Sequence, residues 1–180
     1  MRAIRALPAP ATGFTLIELL VVIVLLGIVL GMALPSFREA TVRNRIVAEH
    51  NELQASLMLA RSEAIRRNQP VSVCAANATL DDCQNSWGQG WLIWRDVDGD
   101  GTVDAAVAAT DEPEILQVGQ ISPADQIAGP TLVTFDRRGQ LVTAPGELVL
   151  RPQECPAGRE YPRALILRGS GQTGTEKRSC

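Results

Sequence analysis

"GFTLIELLVVIVLLGIVLGMALPSF", residues 13–37, decides how the rest of the chain is read. Its one charge is Glu18, and from Leu19 to Ser36 there is none. Residues 14–37 are long enough to cross a bilayer as a helix, at ~20 residues per crossing. A carboxylate near the bilayer core costs roughly 2.5–3.5 kcal/mol on insertion scales, so Glu18 calls for a compensating partner. A secretory signal peptide is the competing reading. Arg2 and Arg5 would supply its basic start, and Gly31-Met32-Ala33 loosely fits a small-x-small cleavage site. The length of the apolar run and the acid at its beginning speak against that alternative.

Beyond the run the chemistry changes. The whole chain has 17 basic and 20 acidic residues; without Arg2, Arg5 and Glu18, 15 and 19 remain, a net charge of −4. Such a balance argues against a protein whose entire surface binds nucleic acid, while leaving room for a local basic patch. Aromatics make up only 4% of the chain, so the core must be built from Val, Leu, Ile and Ala. All four cysteines, Cys74, Cys83, Cys155 and Cys180, follow the apolar run. An even number on one side of a membrane segment fits an oxidising compartment. Zinc is the rival use, but no C-x-x-C pair exists and the single histidine, His50, lies in a helical pattern. Cys74–Cys83 and Cys155–Cys180 is the simplest of the three connectivities, which spacing alone leaves open. Basic residues flank both ends of the span, so charge does not orient it; the cysteines place the C-terminal part in the oxidising space.

From Arg38 to Asn68 apolar residues (Val42, Ile46, Leu53, Leu57, Ala60, Ala64) recur at three- and four-residue spacing. Pro70 stops the pattern, because the residue before a proline disfavours helical geometry. A single helix therefore runs from the membrane segment (14–37), past Pro35, through an amphipathic continuation (38–70). After Pro70 the segments are short and strand-like: 71–75, 90–96, 114–121, 131–136, 140–144, 147–151 and 163–168, with a hairpin turn at 136–140. One long helix followed by antiparallel strands (71–180) predicts an α+β domain, the helix packed on a sheet.

The stretch 13–37 resembles the N-terminal signature of type IV pilins and of type II secretion pseudopilins. The resemblance implies a leader, residues 1–13, removed between Gly13 and Phe14 by prepilin peptidase, with N-methylation of Phe14. It also implies a partner for Glu18, the N-terminal amine of a neighbouring subunit; a buried acid is tolerable once an opposite charge arrives. "LMLARSEAIRRNQPVSVC" and "WGQGWLIWRDVDGDG" resemble the FimT, FimU and GspH group of minor pilins and pseudopilins, strongly to residue 100 and weakly after it. The implied protein is a single-pass subunit of the bacterial inner membrane with a periplasmic head. It would associate with other minor pilins or pseudopilins and the major pilin, and help initiate a type IV pilus at its tip. The alternatives are an H-type pseudopilin of a type II secretion system and a DNA-binding minor pilin of natural transformation.

Two further stretches bear on chemistry. Asp96, Asp98, Asp100, Gly101 and Asp104 occupy positions 1, 3, 5, 6 and 9 of a calcium-loop pattern, but Val107 stands where the bidentate acid belongs. A solvated Asp/Gly turn accounts for the same residues, so no cofactor is expected, Ca²⁺ being the one candidate. The tail carries Lys177 and Arg178 but lacks the Gly-Arg-x-Arg arrangement of DNA-binding relatives, so only weak, non-specific DNA binding is expected there. No nucleophile–base pair or phosphate-cradling loop appears, which points away from an enzyme. Trp87, Trp91 and Trp94 read as core.

The junction at Gly13 makes a direct prediction. Mass spectrometry of protein extracted from membranes should find N-methylated Phe14 as the first residue, and a bulky residue at 13 should block that processing where Ala does not. A chain beginning at Met1, or cut after Ala33, contradicts it.

Overall fold

The computed structural model describes residues 13–103 and 115–180. Residues 1–12 of the expected leader, and Asp104 of the acidic turn, lie outside the described residues. The chain divides into two compact units, the first ending at Ala40 and the second running Thr41–Cys180.

Helix α1, Leu16–Arg67, contributes to both. Its start is chemically defined. The Thr15 hydroxyl accepts the Glu18 N–H at 3.3 Å, and the Thr15 carbonyl accepts from Leu19 at 3.2 Å. Thr-x-x-Glu is the sequence form of a helix-capping box, and an acid in the first turn complements the helix dipole. In the first unit every described side chain from Phe14 to Phe37 is exposed.

In the second unit the same helix is amphipathic. Ile46, His50, Leu53, Leu57, Ala60 and Ala64 form its buried stripe. The helix ends as the proline predicts: Asn68 takes a left-handed conformation (φ 54°), its neighbour Gln69 donates back to the Ala64 carbonyl at 3.2 Å, and Pro70 follows.

Eight strands follow among the described residues. They are β1 Val71–Ala75, β2 Trp91–Arg95, β3 Ile115–Gly119, β4 Asp125–Ala128, β5 Leu132–Phe135, β6 Gly146–Pro152, β7 Arg163–Leu167 and β8 Thr173–Lys177. They form two four-stranded antiparallel sheets, ordered β3-β2-β1-β5 and β4-β6-β7-β8. The α+β class and the antiparallel pairing are as the sequence predicts; two sheets replace the single one. Residues 140–144 do not form the expected strand. Leu141 makes one bridge to Phe135, and its N–H turns to the Gly169 carbonyl of the other sheet's turn, at 3.0 Å. Conversely, β4 and β8, short and largely polar, form without a strand-like pattern in the sequence.

Alternation along the strands sorts the core. Val71, Val73 and Ala75 of β1, with Trp91, Ile93, Val133 and Phe135, face Leu53, Leu57, Ala60 and Ala64 of α1 and Leu148, Leu165 and Leu167 of the second sheet. The opposite face of the first sheet (Cys74, Leu92 and Trp94) is covered by Leu80, Cys83 and Val103 from two loops. All three tryptophans are buried. Gly119 is required here, because a Cβ would sit 2.1 Å from the Trp91 ring.

Leu57 is fully buried while its neighbour Met58 is 45% exposed. Leu57→Ala should therefore cost about 2–5 kcal/mol of unfolding free energy, and Met58→Ala about 0.5 kcal/mol or less. Denaturant titration of the detergent-solubilised protein measures both, and equal losses would contradict this placement of the helix stripe.

Candidate functional site

The residues singled out by sequence fall into three places. The first is the amino-terminal segment. A Cβ placed on Gly13 would have no atom within 4 Å, and Phe14 is 84% exposed, so the peptide bond between them is open to attack. Glu18 follows at the third helical position, exposed, with no cation beside it among the described residues. The apolar helix itself meets the length and composition needed to cross a membrane. Chemically, this segment can be cut, inserted in a lipid phase, and packed against other helices; Glu18 supplies the one charge to be matched.

The second place is the acidic turn after β2. Asp96 is buried and serves the fold: its carboxylate accepts the Ser72 hydroxyl at 2.7 Å and the Gly101 N–H at 3.4 Å, and Ser72 also bonds Thr134 at 2.8 Å. Asp98 accepts the Asp100 N–H, and Asp100 accepts both the N–H and the hydroxyl of Thr102 at 2.7 Å. These bonds to Thr102 hold the Asp100 carboxyl below its ordinary range. One oxygen each from Asp96, Asp98 and Asp100 lies within 4.8 Å of the others, so these three could hold a cation. Every one of them is already engaged in turning the chain over the outer face of the sheet, where Trp94 Nε1 donates to the Thr102 carbonyl at 3.2 Å.

The third place is not legible in the sequence. Arg45 on α1 makes a two-pronged ion pair with Asp125 at the start of β4, Nη2 to Oδ1 at 2.8 Å and Nε to Oδ2 at 2.5 Å. The Asp125 side chain is wholly buried. One turn along, Glu49 Oε1 accepts the Ser122 N–H at 3.0 Å, while its other oxygen is buried without a partner. Burial first, and then the adjacent Asp125 carboxylate, push the Glu49 carboxyl above the ordinary glutamate range, against the pull of Ser122 and Arg45. Two acids share one arginine, and Glu49 holds its proton to higher pH than an ordinary glutamate. His50, beside it, is also buried; its Nε2 meets Thr175 Oγ1 at 3.1 Å, and burial followed by the Arg163 charge favours the neutral ring.

The cysteines are joined as Cys74–Cys83 and Cys155–Cys180, with Cα separations of 5.7 and 5.2 Å. The first ties the loop after β1 to the sheet, and the second ties the last residue to the loop before β7. At the tail, Arg178 is held by Glu147 at 2.9 Å and Glu176 at 2.6 Å, so of the two basic tail residues only Lys177 is unpaired among the described residues.

A lone-acid apolar helix ahead of a two-sheet head, stapled by disulfides, is the architecture of a pilin-type subunit with a membrane-anchoring N-terminus. Residues 10–34 match the prokaryotic N-terminal methylation motif, and residues 49–171 match the family of the type II transport protein GspH. That match covers most of the chain, and the protein belongs to this family. Among solved structures, the type IV minor pilin FimU of Pseudomonas aeruginosa (strain PAO1) shares the fold in one crystal form: TM-score 0.52, 21% identity, 74% of this chain and 90% of that one. In a second crystal form the TM-score is 0.49 at the same identity, covering 72% and 90%. No curated protein sequence matches.

The Glu49 arrangement sets a pH dependence. A folded pKa raised above the unfolded ~4.3 means the neutral acid is favoured by the fold. Its contribution is fully present below about pH 4 and is lost as pH rises through the raised value. Glu49→Gln, which stays neutral, should match wild type at low pH and become more stable than it as pH rises through the raised value, the difference then levelling off. Thermal melts across that range would contradict the assignment if the difference were flat or reversed.

Proposed function

We propose that the protein is a minor pilin: a structural subunit, present in few copies, that helps prime assembly of a type IV pilus and sits at its tip. The observation that carries the filament reading is the exposed apolar half of α1 with its single acid. Such a surface is stable only in lipid or against other helices, and the two environments correspond to a stored and an assembled subunit. In this reading prepilin peptidase cuts at Gly13 on the cytoplasmic side of the inner membrane, and Phe14 is N-methylated. The amine so created on one subunit meets Glu18 of its neighbour. The head projects into the periplasm, where its two disulfides persist.

The role is structural rather than enzymatic. The family is one of structural pilin-type subunits; here the one histidine is buried against a threonine, Asp96, Asp98 and Asp100 are engaged in a turn, and Asp125 and Glu63 are ion-paired. The paired state of Arg178 weighs against a DNA-receptor role for the tail.

A second reading is supported by the family itself, whose description is a type II transport protein: an H-type pseudopilin of a secretion system. Deletion and complementation separate the two. The pilus reading expects loss of surface pili with secretion intact, and capture of pilus minor subunits by the full-length protein from solubilised membranes. Loss of secretion with intact pili, and capture of pseudopilins, selects the second reading. In either system Glu18→Ala should insert in the membrane as wild type does yet fail to enter the filament; normal incorporation would show that the acid does not pair with a neighbour.

A further inference from the structure

A cavity of about 330 Å³ opens within the second unit, between α1, the approach to β4 and the loop 153–162. Val42, Pro152, Pro156 and Tyr161 give it apolar walls; Arg45 and Glu154 give it charge. Its rim is fixed in advance. The Gln153 N–H donates to the Ala124 carbonyl at 2.9 Å, and the Gln153 side chain donates to the Pro123 carbonyl at 2.8 Å. Farther along the loop, the Arg159 N–H turns back to the Pro156 carbonyl at 3.2 Å, and the Cys180 N–H bonds the Arg159 carbonyl at 2.8 Å. The Cys155–Cys180 bridge ties the same loop to the end of the chain covalently. A ligand entering here meets a preformed wall and does not have to order a loop.

The charges do not balance. Arg45, the one cation in the lining among the described residues, is committed to the buried Asp125. Glu49 draws on the same guanidinium, and one of its oxygens is buried with no partner. Glu154 is exposed and makes no ion pair among the described residues. The lining and the cluster behind it thus set three carboxyl groups against one guanidinium. Even with Glu49 protonated, one negative charge is left over, and Glu154 carries it at the cavity.

We propose that this cavity receives a basic side chain, Lys or Arg, of a neighbouring pilin-type subunit other than this chain, with its charge at Glu154 and its stem against Val42 and the two prolines. This rests on the filament-subunit reading above. A long basic side chain suits both parts of the lining, because its methylenes pack on apolar surface while its head keeps a polar partner. Tyr161 adds an aromatic ring, which cations also favour. Val42 follows Phe37 by five residues, a length that cannot span more than ~18 Å. A neighbour laid along the exposed apolar run is therefore brought within reach of the cavity. A phospholipid headgroup suits it less, since its phosphate would need a free cation and Arg45 is already taken.

The test places a photo-reactive amino acid at the exposed Gln153, on the rim, in full-length protein in cells assembling filaments. Irradiation should give an adduct with another pilin-type subunit, which mass spectrometry maps to a peptide around a Lys or Arg. Two changes are then made separately in the probe-bearing chain. Glu154→Lys reverses the charge, and Ala124→Trp fills the cavity without altering charge. Losing an ion pair and gaining a repulsion should cut the adduct yield roughly tenfold in the first, and excluded volume should cut it as far in the second. Both positions are exposed, so the melting temperature should not move. Changing the mapped partner residue to Glu should restore the adduct to the Glu154→Lys chain. Adducts with lipid alone or with a second copy of this chain, a mapped peptide without a basic residue, or an unchanged yield in either variant overturns the proposal. A second probe at Leu25 separates the two levels of inference. Adducts to other subunits from Leu25 with none from Gln153 defeat the cavity proposal alone, whereas none from either position defeats the subunit reading.

Discussion

From Phe14 to Phe37 every described side chain of α1 and its approach is exposed, and Glu18 is the one charge among them. Burying each large apolar side chain is worth about 1.5–3 kcal/mol, and this half of the helix leaves all of that stabilisation to be supplied from outside the chain. The protein is thus incomplete as a dispersed monomer in water. Lipid can cover the stripe but leaves the carboxylate costly; in the proposed filament, packing among like helices would cover the stripe and a neighbour's amine would answer the charge as well.

The second half of α1 ties this demand to the head. Its stripe of Ile46, Leu53, Leu57, Ala60 and Ala64 is buried with the two sheets, so the helix cannot be withdrawn without unfolding the domain. Polar side chains fix its position along the sheets. Arg45 pairs with Asp125, Glu49 takes the Ser122 N–H, Gln117 donates to the buried Ser56 hydroxyl at 3.3 Å, and Arg61 holds two turns. Breaking a buried ion pair by removing one partner costs about 3–5 kcal/mol; Arg45 is about a third exposed, which puts Arg45–Asp125 toward the lower end. Beside the packing of its Val, Leu and Ile side chains on Trp91, Trp94 and Phe135, the head relies on such cross-links and on two disulfides.

Much of this fold is visible in the residues and some of it is not. The long helix is legible because its apolar run and its later three-four periodicity are local patterns, and Pro70 ends it by local sterics. Strands β1, β2, β3, β5, β6 and β7 are legible because their apolar residues alternate or run together between turn signals. Strand β8, Thr-Gly-Thr-Glu-Lys, has no apolar residue; it is a strand because β7 offers it a paired edge, which is information from elsewhere in the chain. Strand β4 hides for the same reason, opening on an aspartate that only Arg45, eighty residues earlier, makes tolerable to bury. His50 cannot be placed without knowing that Thr175 stands opposite it. The acidic turn is plain in the sequence, but its pattern does not say that Asp96 is buried against Ser72. The Thr15–Glu18 cap is present as Thr-x-x-Glu and is overshadowed by the lipid-like run that follows it.

The central claim is that helices of neighbouring subunits cover the apolar half of α1 in the working state. A photo-reactive amino acid placed at Leu25, in the middle of the exposed run, reports directly on what lies against it. In cells assembling filaments, irradiation should yield covalent adducts with the apolar N-terminal helix of another subunit, identified by mass spectrometry, with lipid adducts dominating when assembly is blocked. Lipid adducts alone in assembled filaments would contradict the account.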